Sequence, residues 1–170
     1  MVDTIEMPAE SGYETDFYAW TEAQAAALRA AAQAGGNLPV DWENLAEEIE
    51  SLGRSDVREL RSRIATIIEH LLKLEFAPAA PPRADWADTI DRSRVAFETL
   101  IAESPGLRPR VAGWVEREHV GAARLVLLNL QRHGEWTPVV EARLRSRRYT
   151  EAEILGDWWP NAIVGPNYKV

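Results

Sequence analysis

The sequence predicts an all-α fold: a bundle of four to five main helices with short helices at the C-terminal end. Three observations predict it. Apolar residues recur at spacings of three and four over long segments, the spacing of one helix face. Capping residues, glycines and prolines fall between those segments. No segment alternates apolar and polar residues with a period of two, as a half-buried strand would.

Asp16 is placed to cap a first helix that runs through FYAWTEAQAAALRAAAQA to Gly35-Gly36. Phe17, Trp20, Ala27, Leu28 and Ala31 form its apolar stripe. Asp41 caps the next and longest stretch, which ends at Phe76. Its second half carries a seam of Val57, Leu60, Ile64, Ile67, Leu71 and Leu74. Its first half carries another: Trp42, Leu45, Ile49 and Leu52. The two seams are out of phase by one residue. Glycine costs roughly 1 kcal/mol inside a helix, and serine can cap a new start. A break or kink is therefore expected at Gly53-Arg54-Ser55, although gradual drift in one helix gives the same slip.

Pro78, Pro81 and Pro82 mark a loop. A helix follows from about Asp85 to Glu103, with Trp86, Ile90, Phe97, Leu100 and Ile101 inward. Ser104-Pro105 reads as a cap with proline in the first turn, opening a helix to Arg132 unless Pro109 delays it. The second half of that helix is apolar nearly all round, from Ala122 to Leu130, and is expected inside the fold. His133-Gly134 stops it. Thr137-Pro138 starts another helix through Arg147, and Thr150 with Glu153 makes a capping box for a last short one. By this reading residues 1–12 are loosely attached, 13–160 form one helical domain and 161–170 are a tail.

Hydrophobic residues make up 46% of the 170 and charged residues 27%, a globular composition. With no cysteine, disulfides, thiol chemistry and cysteine-ligated metals are excluded. No apolar run approaches the roughly 20 residues of a membrane span, and the acidic start is unlike a signal peptide. A cytoplasmic location is expected. The net charge is −8, and residues 1–60 alone carry 13 acids and 3 bases. That half repels phosphate backbones, so nucleic acid is not an expected partner.

Three blocks resemble a known family: YETDFYAWTEAQAAALR at 13–29, DWENLAEEIESLGRSDVRELRSRIATIIEHLLKLEF at 41–76 and RRYTEAEILGDWWP at 147–160. The chain looks like a member of the bacterial family called domain of unknown function 29. The resemblance implies an all-helical fold. The family has no established activity or catalytic residues, so none carries over.

Four groups of side chains could carry function. Glu43, Glu47 and Glu50 fall within roughly 60° of one another on a helix, opposite the Trp42–Leu52 seam, while Glu48 flanks that seam. They read as a solvated acidic face, or as a docking surface for a basic partner. Glu116 and His119 have the Glu-x-x-His spacing of di-metal bundles, and His70 could face them; such a set suits Zn, Fe or Mn. Those bundles use two copies of the motif, and this chain has one. Arg143, Arg145, Arg147 and Arg148 form a basic run that reads as salt-bridged surface, or as a contact to the acidic half within or between chains. Trp158 and Trp159, the expected exposed pair among seven tryptophans, are contact candidates. Phosphate-binding glycine loops, Gly-x-Ser-x-Gly and His-Glu-x-x-His are absent. The expectation is a non-enzymatic interaction or adaptor module without a cofactor, its partner another protein or a second copy. A metal-dependent helical enzyme using Glu116, His119 and His70 is the alternative.

Overall fold

Six α-helices and one 3-10 helix account for most of the described residues, which are 12–35, 38–77 and 83–160 of the computed structural model; no strand occurs among them. The helices are α1 (Phe17–Gln33), α2 (Trp42–Phe76), α3 (Arg83–Glu103), α4 (Val111–Arg132), α5 (Pro138–Ser146) and α6 (Glu151–Leu155). The 3-10 helix, Pro105–Arg110, lies between α3 and α4. The expected loose N-terminus, proline loop and tail lie outside the described residues, apart from Gly12 and Ala77. No described helix is long and apolar enough to cross a membrane.

The chain divides into two compact units. One comprises residues 1–58 and 100–108, the other 59–99 and 109–170. Helices α2 and α3 contribute to both.

In the first unit, α1 begins where Asp16 accepts the Ala19 amide at 3.0 Å. Its buried positions are Thr21 and Ala25. The expected stripe is only half-buried at Phe17, Trp20, Leu28 and Ala31, and Ala27 is exposed. Thr21 meets Gly53 of α2: a Cβ on Gly53 would fall 2.3 Å from the Thr21 Oγ1 and 3.2 Å from the Tyr18 ring. This contact explains why no break appears at Gly53-Arg54-Ser55. The missing side chain admits α1 against α2, and that packing offsets the helical penalty of about 1 kcal/mol. Helix α2 runs unbroken for 35 residues. The same contact moves the buried seam. Ala46 and Gly53 are buried, while Leu45 and Leu52 are 41% and 50% exposed. Positions 46, 53, 60, 67 and 74 then repeat every seven residues, so the one-residue slip vanishes.

In the second unit, Leu60, Ile64, Ile67, Leu71 and Leu74 of α2 are fully buried, as the spacing predicts, with Val57 half-buried just before that unit begins. Ile90 and Phe97 of α3 and Val111, Ala122, Val126 and Leu130 of α4 complete the core. The ring of Pro109 cannot continue an α-helix from Pro105, and α4 starts two residues later. Helix α4 is not buried all round. Its Val120, Leu125 and Leu128 are 67%, 55% and 46% exposed. The side with Val115, His119, Ala122 and Val126 faces the core, and Trp114, near the start of the helix, is also buried. Helices α5 and α6 pack on α4.

Candidate functional site

In the second unit polar groups converge around the end of α5. Helix α5 closes at Ser146, and Arg147 turns into extended backbone (φ −62°, ψ 131°). That turn points Arg147 inward. Its Nε donates to Glu75 Oε2 at 3.1 Å and its Nη2 to Glu153 Oε1 at 2.8 Å. Tyr149, only 4% exposed, donates its hydroxyl to the same Glu75 oxygen at 2.8 Å. Burial and the Glu75 carboxylate push the Tyr149 hydroxyl far up, so it stays a donor. Glu153 also closes the α6 capping box, accepting the Thr150 amide at 2.7 Å. One arginine thus joins α2, the extended segment and α6.

His119 of α4 lies beside this network, its ring 5.6 Å from that of Tyr149. It is 1% exposed, and neither ring nitrogen has a hydrogen-bond partner among the described residues. A buried polar group left so costs about 1–3 kcal/mol. Burial, then the charge of Arg148, lowers the His119 pKa to about 4, so the imidazole is neutral near pH 7. His119 and Arg148 together line two cavities. The larger, about 450 Å³, has Val120, Leu127, Leu128 and Leu144 as its apolar wall, with Arg124, Arg145 and Arg148 around them. The smaller, about 350 Å³, adds Glu116, Tyr149 and Thr150.

The Glu116, His119 and His70 set is not assembled. Among the described residues no three His, Asp or Glu side chains stand where one metal ion could hold them. The reasons are local. His70 uses Nδ1 on its own helix, 2.9 Å from the Thr66 carbonyl. Glu116 is exposed, and it is Glu118 that turns inward to pair with Arg61 at 2.6 Å.

The other candidates are distributed over both units. Arg29 of α1 reaches Glu50 at 2.9 Å and Glu43 at 3.3 Å, so two of the three acids opposite the expected seam bind their own chain. Hydrogen bonding to Arg29 holds the Glu50 carboxyl below its usual range. Glu47 is exposed. In the basic run, Arg145 pairs with Glu141 at 2.7 Å, and the Arg143 guanidinium lies 5.5 Å from the Phe76 ring centre. Arg148 donates to the carbonyls of Arg145 and Arg147. Trp158 and Trp159 are half-buried; the first packs on Tyr149 at 5.7 Å and the second under Arg94 at 4.9 Å.

Arg94 is the residue that the periodicity concealed. It is 8% exposed, and its guanidinium donates to the carbonyls of Ile154 (2.9 Å), Glu153 (3.1 Å) and Trp158 (2.9 Å). Its position, one turn after Ile90 and nearly one before Phe97, was the available signal.

Fold and site together define an all-α protein whose two units are each stitched by arginines to carboxylates or backbone carbonyls. The chain belongs to the family described as domain of unknown function DUF29, whose model matches residues 13–155. A solved structure of an alpha-helical protein of unknown function from Rhodospirillum rubrum is similar, with 25% identity and a TM-score of 0.70. The match covers 88% of this chain and 92% of that one. Comparison with curated proteins gave no match.

Proposed function

We propose that this protein is a non-enzymatic interaction module that docks another protein on the outward face of α4. The observation that supports this reading is the pair Leu125 and Leu128, three residues apart and 55% and 46% exposed, with Val120 exposed about 80° further round the same helix. Exposed apolar side chains scattered singly need no explanation, but neighbours on one helix face do. Such a face is read by a partner helix or groove through anchors at i and i+3. Glu47, exposed on α2, is a second, acidic contact in this reading, whereas Glu43 is paired with Arg29. Arg143, Arg147, Trp158 and Trp159 serve the fold first, because each has a partner in its own chain.

The test is co-purification from the native host with wild type and with Leu125→Asp/Leu128→Asp. Both substitutions are at exposed positions, so the circular dichroism spectrum should not change. Wild type should retain a partner that the double variant loses. Identical partners for both, or none for either, would sink the reading. A second copy is one form the partner can take, and light scattering at micromolar concentration decides it: a monomer removes that form.

A further inference from the structure

The larger cavity beside α4 and α5 combines three features that no residue of the chain reconciles. Its wall is apolar, made by Leu127, Leu128 and Leu144. Its cations are in excess: Arg145 is paired with Glu141, but Arg124 and Arg148 have no carboxylate partner among the described residues. Its histidine, His119, is buried with both ring nitrogens unpartnered. A volume of about 450 Å³ is within the range of small-molecule sites, roughly 300–1,000 Å³.

We propose that this cavity binds a small amphiphilic carboxylate, an aliphatic or aromatic acid with one anionic end. The carboxylate takes Arg148, whose guanidinium still has donors beyond the one given to the Arg145 and Arg147 carbonyls, with Arg124 adding charge. The His119 ring lies in the cavity wall beside that cation, with its nitrogens buried, and so reports on occupancy. The apolar body lies along the leucines. Charge and shape favour such an acid over the alternatives. A cationic amphiphile meets two unneutralised arginines. A neutral one leaves those arginines, both at exposed positions, to solvent alone. A small polyanion has no use for the leucine wall. The site is distinct in chemistry from the protein-docking face, though Val120, Arg124 and Leu128 border both.

The experiment uses the full chain, isotope-labelled, and follows the His119 ring resonances during titration with sodium decanoate below its micellar concentration. Decyltrimethylammonium and decan-1-ol are run in parallel. Decanoate should give a saturable shift at His119, and either control should bind at least about tenfold more weakly, the factor that one charge-assisted hydrogen bond supplies. Arg148→Gln should weaken decanoate binding by about tenfold or more while leaving the decanol response unchanged; loss of its bonds to the Arg145 and Arg147 carbonyls lowers the thermal midpoint, which is measured separately. Arg124→Gln, at an exposed position, should weaken it less, and serves if Arg148→Gln proves unstable. Equal binding of all three amphiphiles, decanoate binding that ignores both substitutions, or no saturable His119 shift into the millimolar range would each overturn the proposal. None of these outcomes depends on a protein partner, so the two readings fail separately.

Discussion

Asp16 Oδ2 accepts a hydrogen bond from the Gly106 amide at 2.7 Å, across 90 residues of sequence. The other oxygen of the same carboxylate caps α1 at Ala19. Nearby, the buried Ser104 hydroxyl accepts the Tyr18 amide at 3.1 Å. The start of α1 and the 3-10 segment therefore satisfy one another's backbone amides. Asp16→Ala should cost about 1–2 kcal/mol in urea unfolding, the sum expected for a lost cap and a lost long-range bond. Asp16→Asn keeps an acceptor for one amide and should cost less than half as much. Equal losses would mean that the charge, and not the acceptor geometry, is what matters.

Gly53→Ala tests the passage of α1 over α2. Alanine is the better helix former by about 1 kcal/mol, so an exposed glycine here would be improved by the change. The added Cβ instead meets Thr21 Oγ1 at 2.3 Å. Overpacking of this kind costs about 1–3 kcal/mol, and the net effect should be destabilising. Thr21→Ala in the same chain should recover part of the loss. A more stable Gly53→Ala protein would remove the close contact as the reason for the glycine.

His119 gives a pH signature. Its pKa is about 4 in the folded chain, against an ordinary 6.5 unfolded. Between those values the unfolded chain takes up a proton that the folded chain does not. Stability should be flat above about pH 6.5 and fall as pH drops toward 4, by at most about 3 kcal/mol from this group. His70, also lowered by burial, acts in the same direction. His119→Leu removes two unpartnered nitrogens and should raise stability at pH 7 by about 1–2 kcal/mol while flattening the slope between pH 6.5 and 4. Urea midpoints at the two pH values check this; an unchanged slope would contradict it.

Arg94→Met should release the C-terminal helix. A five-residue helix cannot persist alone, and α6 is held by its capping box and by the three carbonyls that Arg94 binds. Removing the guanidinium leaves those acceptors without donors, at roughly 3 kcal/mol or more. Hydrogen exchange of the α6 amides should accelerate before that of α4. Uniform acceleration through both would mean that Arg94 supports the whole unit instead.

By itself the sequence determined the helices. Spacings of three and four, the caps at Asp16, Asp41, Thr137 and Thr150, and the prolines after Phe76 act between residues a few positions apart, and such short-range rules can be read from one strand of text. It also determined the buried row from Leu60 to Leu74, where the pattern has a single phase. Only the tertiary structure decided what each helix meets. Gly53 reads as a break until Thr21 stands against it. Glu116 and Glu118 are indistinguishable by spacing until Arg61 selects one. Leu125 and Leu128 look like core until the surrounding helices cover only the other side of α4. Arg94 looks like surface until the carbonyls around α6 close on it. The physical reason is common to all four. Helix formation is a local free energy, whereas burial and pairing depend on which distant segment arrives, and a 3.6-residue period records only that some face must be covered.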